Sequence, residues 1–125
     1  MGTRAQVVEQ AYEAFGRGDI PAVIGLLDEG VEWTAPGTLP HGGTWKGRDE
    51  VGRFFAGLDA AWEDLDLDVE AVAELGGDLV VGVLRAHGTR RGAGPSDDGA
   101  VHVFDVRDGR IARFREYTDL DAPLG

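Results

Sequence analysis

Apolar residues recur every three or four positions in the first half of the chain and every second position in much of the rest, so helices are expected to precede a sheet. Thr3 and Gln6 form a capping box ahead of Val8, Ala11, Tyr12 and Phe15, which predicts a helix ended by Gly16 and Gly18. Asp19 caps a second, short helix with Pro21 in its first turn, an apolar face of Val23, Ile24 and Leu27, and Gly30 at its close. "VEWTA" reads as a first strand and "PGTLPHGGTWKG" as a Gly/Pro-rich connection. "RDEVGRFFAGLDAAW" then places Val51, Phe54, Phe55 and Leu58 on one side of a third helix.

From "EDLDLDVEAVAEL" onward the period changes to two. Leu65, Leu67 and Val69 are expected inside and Asp64, Asp66 and Asp68 in water, so this acidic run is a solvated face. Gly76 and Gly77 turn the chain into "DLVVGVLRAHGTR", and "RGAGPSDDGA" reads as a hairpin loop before two final strands, "VHVFDVR" and "RIARFREYTD", joined at Asp108-Gly109. The predicted class is α+β in one domain spanning residues 1–125, with three N-terminal helices packed on a curved antiparallel sheet.

The last turn decides which side chains share a face. A plain two-residue loop would set His102, Phe104 and Val106 beside Ile111, Arg113 and Arg115, burying two arginines. A three-residue turn with Gly109 left-handed shifts the pairing by one residue and reverses every side chain of the final strand. That register is expected, because it groups Phe104, Val106, Ala112 and Phe114 with His102 and Glu116 and leaves Asp105, Arg107, Arg113 and Arg115 to pair opposite.

Composition narrows the chemistry. There is no cysteine, which excludes disulfides and thiolate nucleophiles, and the net charge of −11 opposes binding to nucleic acid or to an anionic membrane. No run of about 18 apolar residues occurs, so neither a membrane span nor a signal segment is expected and the cytoplasm is the default location. "MGTRAQ" lacks the Ser or Thr that myristoylation requires. His41, His87 and His102 show no metal-ligand spacing, and no glycine-rich phosphate loop or nucleophile elbow is present, so neither metal nor cofactor is expected.

The segments "AYEAFGRGDIPAVIGLLDEGVEW", "WKGRDEVGRFF" and "VHVFDVRDGRIARFREYTD" resemble the SnoaL-like branch of the nuclear transport factor 2-like superfamily, which includes polyketide cyclases and relatives of ketosteroid isomerase. The resemblance covers nearly the whole chain and implies a cone-shaped α+β barrel, an apolar small-molecule ligand and a homodimer joined through the outer face of the sheet. It also implies departures. Where the isomerase keeps its general base this chain has Trp33, its oxyanion tyrosine falls at Ala11 with Tyr12 one position along, and His102 stands at the oxyanion-hole acid. The resemblance to limonene epoxide hydrolase aligns Arg85, His87 and Glu116 with a charged cluster, but Glu32 and Thr34 stand where that enzyme holds its water.

The expected catalytic set is therefore Glu116, His102, Arg85 and His87, with Tyr12, Trp33, Trp45, Phe54, Phe55, Phe104 and Phe114 around the substrate. A carboxylate beside an imidazole in an apolar pocket suits proton transfer alpha to a carbonyl, one group taking the proton and the other donating to the enolate oxygen while Arg85 stabilises the anion. The expected function is a cofactor-free isomerase or cyclase. The alternatives are a binding protein without catalysis, an epoxide-hydrolase-like enzyme and a protein-interaction adaptor. Plainer roles stand beside these: His41 satisfied by a backbone carbonyl, and Glu116 with Arg85 as a structural ion pair.

Overall fold

The computed structural model describes residues 3–35 and 42–118, so His41 and Asp119 lie outside the described residues. Helix α1 (Arg4–Gly16) begins at the expected capping box, with Gln6 N–H donating to Thr3 Oγ1 at 3.1 Å and Thr3 N–H to Gln6 Oε1 at 2.8 Å. Asp19 caps α2 (Ile20–Gly25) by accepting from Ala22 N–H at 3.2 Å. Strands β1 (Leu27–Ala35) and β2 (Gly43–Lys46) come next, then α3 (Gly47–Ala61), and then β3 (Trp62–Gly76), β4 (Leu79–Arg90), β5 (Gly94–Arg107) and β6 (Arg110–Thr118).

The six strands form one curved, unclosed sheet in the order β2-β1-β6-β5-β4-β3. All neighbours are antiparallel except β1 and β6, which run parallel, so the sheet is mixed at that point. The helices fill its concave side. Val8, Val31, Val51, Val80, Val106 and Ile111 are all fully buried there.

Several expectations change where tertiary pairing outweighs local pattern. The second helix ends at Gly25, and Leu27, expected on its apolar face, opens β1 fully buried and paired with Ile111; Gly30 is a strand residue. Within the Gly/Pro-rich connection, Gly43–Lys46 forms β2 by pairing with β1, Trp45 opposite Trp33. The predicted hairpin loop is much shorter than expected, because β5 already begins at Gly94 and pairs with the end of β4. In β3 the alternation holds through Leu67, but Val69 is 38% exposed, and an irregularity between Val69 and Ala71 brings Val72 against the core instead.

The β5–β6 register is the expected one, reached by a different route. Asp108 (φ 53°) and Gly109 (φ 75°) are both left-handed, and Arg107 pairs directly with Arg110, which makes a two-residue hairpin. The one-residue shift comes just beyond the turn. Val106 pairs with Ile111 while Asp105 pairs with Arg113, so Ala112 is the extra residue of a bulge and Ile111, not Ala112, joins Val106 in the core. Past the bulge, Phe104 faces Phe114 and His102 faces Glu116.

Candidate active site

On the concave face, α1 and β5 converge on His102, the buried polar residue among the described core positions, with 5% exposure. Its two ring nitrogens are both engaged. The Tyr12 hydroxyl lies 2.8 Å from Nδ1, and Glu116 Oε2 lies 2.8 Å from Nε2. An ionised carboxylate can only accept, so Nε2 carries the hydrogen and donates to Glu116; in the neutral ring Nδ1 then accepts from the phenol. Burial, and secondarily the negative charge of Glu116, push the Tyr12 phenol well above its usual value, which keeps it the donor this chain requires.

A missing side chain makes this arrangement possible. Gly82 sits opposite His102 in the β4–β5 ladder, and a Cβ built there would overlap the Tyr12 hydroxyl. An isolated glycine inside a strand marks a close approach, and here the approaching group is the phenol.

The Tyr12–His102–Glu116 chain forms part of the wall of a cavity of about 110 Å³. This is somewhat smaller than an engineered protein cavity of ~150 Å³ that admits benzene. Most of the remaining wall is aromatic or aliphatic: Trp33, Phe54, Phe55, Phe104 and Phe114 line it as expected. Their mutual packing fixes its shape. Trp33 stacks on Phe114 with ring centroids 3.8 Å apart, and Phe114 meets the His102 ring edge-on at 4.7 Å, so the imidazole is held from the side as well as at both nitrogens.

Other expected site residues are elsewhere. Arg85 and His87 alternate with Ala86, and it is Ala86 that faces the cavity; Arg85 binds Asp97 Oδ1 at 2.9 Å and His87 lies 3.2 Å from Asp68 Oδ2, outside the cavity wall. The charged cluster of Arg85, His87 and Glu116 therefore does not assemble, and neither does a Glu116–Arg85 ion pair: the partner of Glu116 is His102. Trp45 packs behind Phe54, centroids 6.0 Å apart, and forms no part of the cavity wall.

Conversely, Trp62, Leu65, Leu67, Arg90, Asp98 and Ala100 line the cavity. Asp98 and Ala100 continue the period-two series of His102 and Phe104, a signal hidden by reading "GPSDDGA" as a loop. Among the described residues no cluster of three or more His, Asp or Glu side chains could hold a metal ion, and no helix is long and apolar enough to cross a membrane.

Three helices in the hollow of a curved sheet, with an apolar cavity between them, define a nuclear transport factor 2-like fold. The SnoaL-like domain model matches residues 8–114, and the chain belongs to that family. A crystal structure of a nuclear transport factor 2-like protein from Burkholderia thailandensis is similar at 33% identity, covering 95% of this chain and 92% of that one with a TM-score of 0.89. A protein of the same fold and unknown function from Burkholderia pseudomallei is 30% identical over the same shares, with a TM-score of 0.87. Bal32a, from a soil-derived mobile gene cassette, is 27% identical over 93% of this chain and 88% of its own, with a TM-score of 0.85. No curated protein matches the sequence.

Proposed function

We propose that the cavity binds an apolar carbonyl compound and that Glu116 moves a proton on it, in a cofactor-independent isomerisation or cyclisation. The observation that carries this reading is the pair of 2.8 Å hydrogen bonds that hold a carboxylate on a wall whose neighbouring side chains are mainly aromatic and aliphatic. Glu116 uses Oε2 for His102, which leaves Oε1 as the base. In the reaction, Oε1 takes a proton from the carbon alpha to the ligand carbonyl, the electron pair of that C–H bond delocalises into the enolate, and the carboxyl group, whose proton exchanges with solvent, returns a proton to a different carbon, or to the same carbon in simple exchange. His102 is a positioning residue here rather than the acid expected from the sequence, because both its nitrogens are occupied within the chain. Tyr12 holds the ring at its other nitrogen.

The epoxide-hydrolase alternative loses its basis, since Arg85 and His87 lie off the cavity. A further part of the proposal concerns assembly. Val83, Val101 and Tyr117 form one cross-strand row on the other face of the sheet and are 37–45% exposed, which suits a second copy of the chain.

The test is alpha-proton exchange of phenylbutanone in D₂O, followed by NMR. Deuterium incorporation faster than in buffer, falling ~100-fold or more in Glu116→Gln, is expected. Binding of phenylbutanone without accelerated exchange would instead make the protein a carrier of apolar ligands.

A further inference from the structure

The cavity has a second polar end, away from the Tyr12–His102–Glu116 chain. Arg90 is the cationic side chain of the wall among the described residues, and its guanidinium carbon lies 5.4 Å from the centre of the Trp62 ring. Trp62 is itself 9% exposed, so the platform beneath the guanidinium is fixed by the core. Cation–π contact removes water from one face of the guanidinium and leaves its edge, with the N–H donors, available. Other arginines of the sheet, Arg85, Arg107 and Arg115, hold aspartates within 4 Å, yet no carboxylate among the described residues forms an ion pair with Arg90. Asp98 lines the same cavity without pairing to it.

The two polar ends are separated along the strands. His102 stands opposite Gly82 and Asp98 opposite Ala86, four residues further along β4 and so roughly 13 Å away at ~3.3 Å per residue. Arg90 lies four residues beyond Ala86 at the end of the same strand, with its guanidinium over Trp62, its cross-strand partner. A ligand whose apolar body lies against the aromatic wall next to Trp62 can place an anionic group at Arg90, well apart from Glu116.

Resting on the proposed binding function of this cavity, we infer that its ligand is an amphipathic carboxylate: an apolar body whose carboxylate is held by Arg90 on its Trp62 platform. The guanidinium fork matches a carboxylate in a way a neutral carbonyl or an ammonium cannot. Glu116 does not oppose this, because it lies far along the strands from Arg90.

The test uses phenylbutanoate, phenylbutanamide and phenylbutylammonium, three probes with one apolar body and different head groups, titrated against the full chain by quenching of tryptophan fluorescence and by calorimetry. The carboxylate is expected to bind about tenfold more tightly than the amide, corresponding to one charge-assisted hydrogen-bonded contact. Arg90→Gln should abolish the preference for carboxylate over amide, and Arg90→Lys should restore part of it. The thermal midpoint of each variant shows whether the Trp62 platform has kept its packing, and the amide supplies an internal control for an intact cavity. Equal affinity for carboxylate and amide in the wild type overturns the inference and leaves the binding function standing. Preference for the ammonium also overturns it and assigns the head-group contact to Asp98. No binding of any of the three overturns both.

Discussion

Replacing Tyr12 by phenylalanine removes one oxygen and keeps the ring, so its effect can be worked out from the hydrogen-bond chain alone. The lost contact is the 2.8 Å bond to His102 Nδ1, on an imidazole that is 5% exposed and flanked by Phe104 and Phe114. Without the phenol, Nδ1 becomes a buried acceptor that has lost its protein donor, at a cost of ~1–3 kcal/mol. Relief of the phenol's own desolvation offsets part of this, leaving a net loss of about 1–2 kcal/mol. In a domain of this size that lowers the thermal midpoint by roughly 3–10 °C.

The alkaline limb reads a separate property of the same side chain, its burial beside Glu116. The native phenol is raised above its ordinary value near 10, so between that value and the native one the unfolded chain has released a proton that the folded chain still holds. Folding then binds more protons than unfolding, and stability falls as pH rises, with a limiting slope of ~1.4 kcal/mol per pH unit for one group. The contribution is fully present below about pH 10. Chemical denaturation at pH 7 and at intervals from about pH 9.5 to 11.5 measures both effects. Tyr12→Phe should be less stable at neutral pH and should lose one group's share of the alkaline slope. If it equals the wild type at pH 7, the Tyr12–His102 bond does not exist as described, and an unchanged alkaline slope would refute the burial of the phenol.

Other substitutions probe the surrounding geometry. Gly82→Ala puts a methyl group into the space of the Tyr12 hydroxyl; a loss of about 1–3 kcal/mol is expected, and in Tyr12→Phe the same substitution should cost measurably less, which a double-mutant cycle would show. Phe114→Ala removes the ring stacked on Trp33 at 3.8 Å and should cost ~3–5 kcal/mol in denaturant melts while red-shifting tryptophan emission. Asp108→Gly should be neutral or stabilising by up to ~1 kcal/mol and Gly109→Val destabilising by ~1–2 kcal/mol, since both positions are left-handed; destabilisation by Asp108→Gly would contradict a two-residue turn. Val101→Asp, on the exposed row with Val83 and Tyr117, should convert the proposed dimer to monomer in light scattering without lowering the ellipticity of the folded chain.

The order of elements, apart from β2, was legible because it is written in local signals. The Thr3–Gln6 box, the Asp19 cap, the helical spacing of Val51, Phe54 and Phe55, and the alternation through Leu65 and Leu67 all act within a few residues of themselves. Conflict between burying Arg113 and burying Phe114 was enough to select the pairing of His102 with Glu116, although not to locate the shift at Ala112 instead of in the turn. A bulge is one unpaired residue, and its position depends on how the ladder meets the rest of the sheet, where Ile111 also pairs with Leu27.

What the sequence determined by itself was thus the helices, the periodicity of the strands and the sharing of one apolar face by a carboxylate and an imidazole. Only the tertiary structure decided what those groups do to each other. Tyr12 reaches His102 from a helix 90 residues away in sequence because Gly82, on a third element, has no side chain to stop it. Arg85 and His87 face away because alternation along β4 gives the cavity to Ala86, and Arg90 faces in because the end of that strand meets Trp62. Contacts of this kind depend on the relative placement of separate elements, which is fixed by packing the whole core at once and leaves no trace in any single stretch of chain.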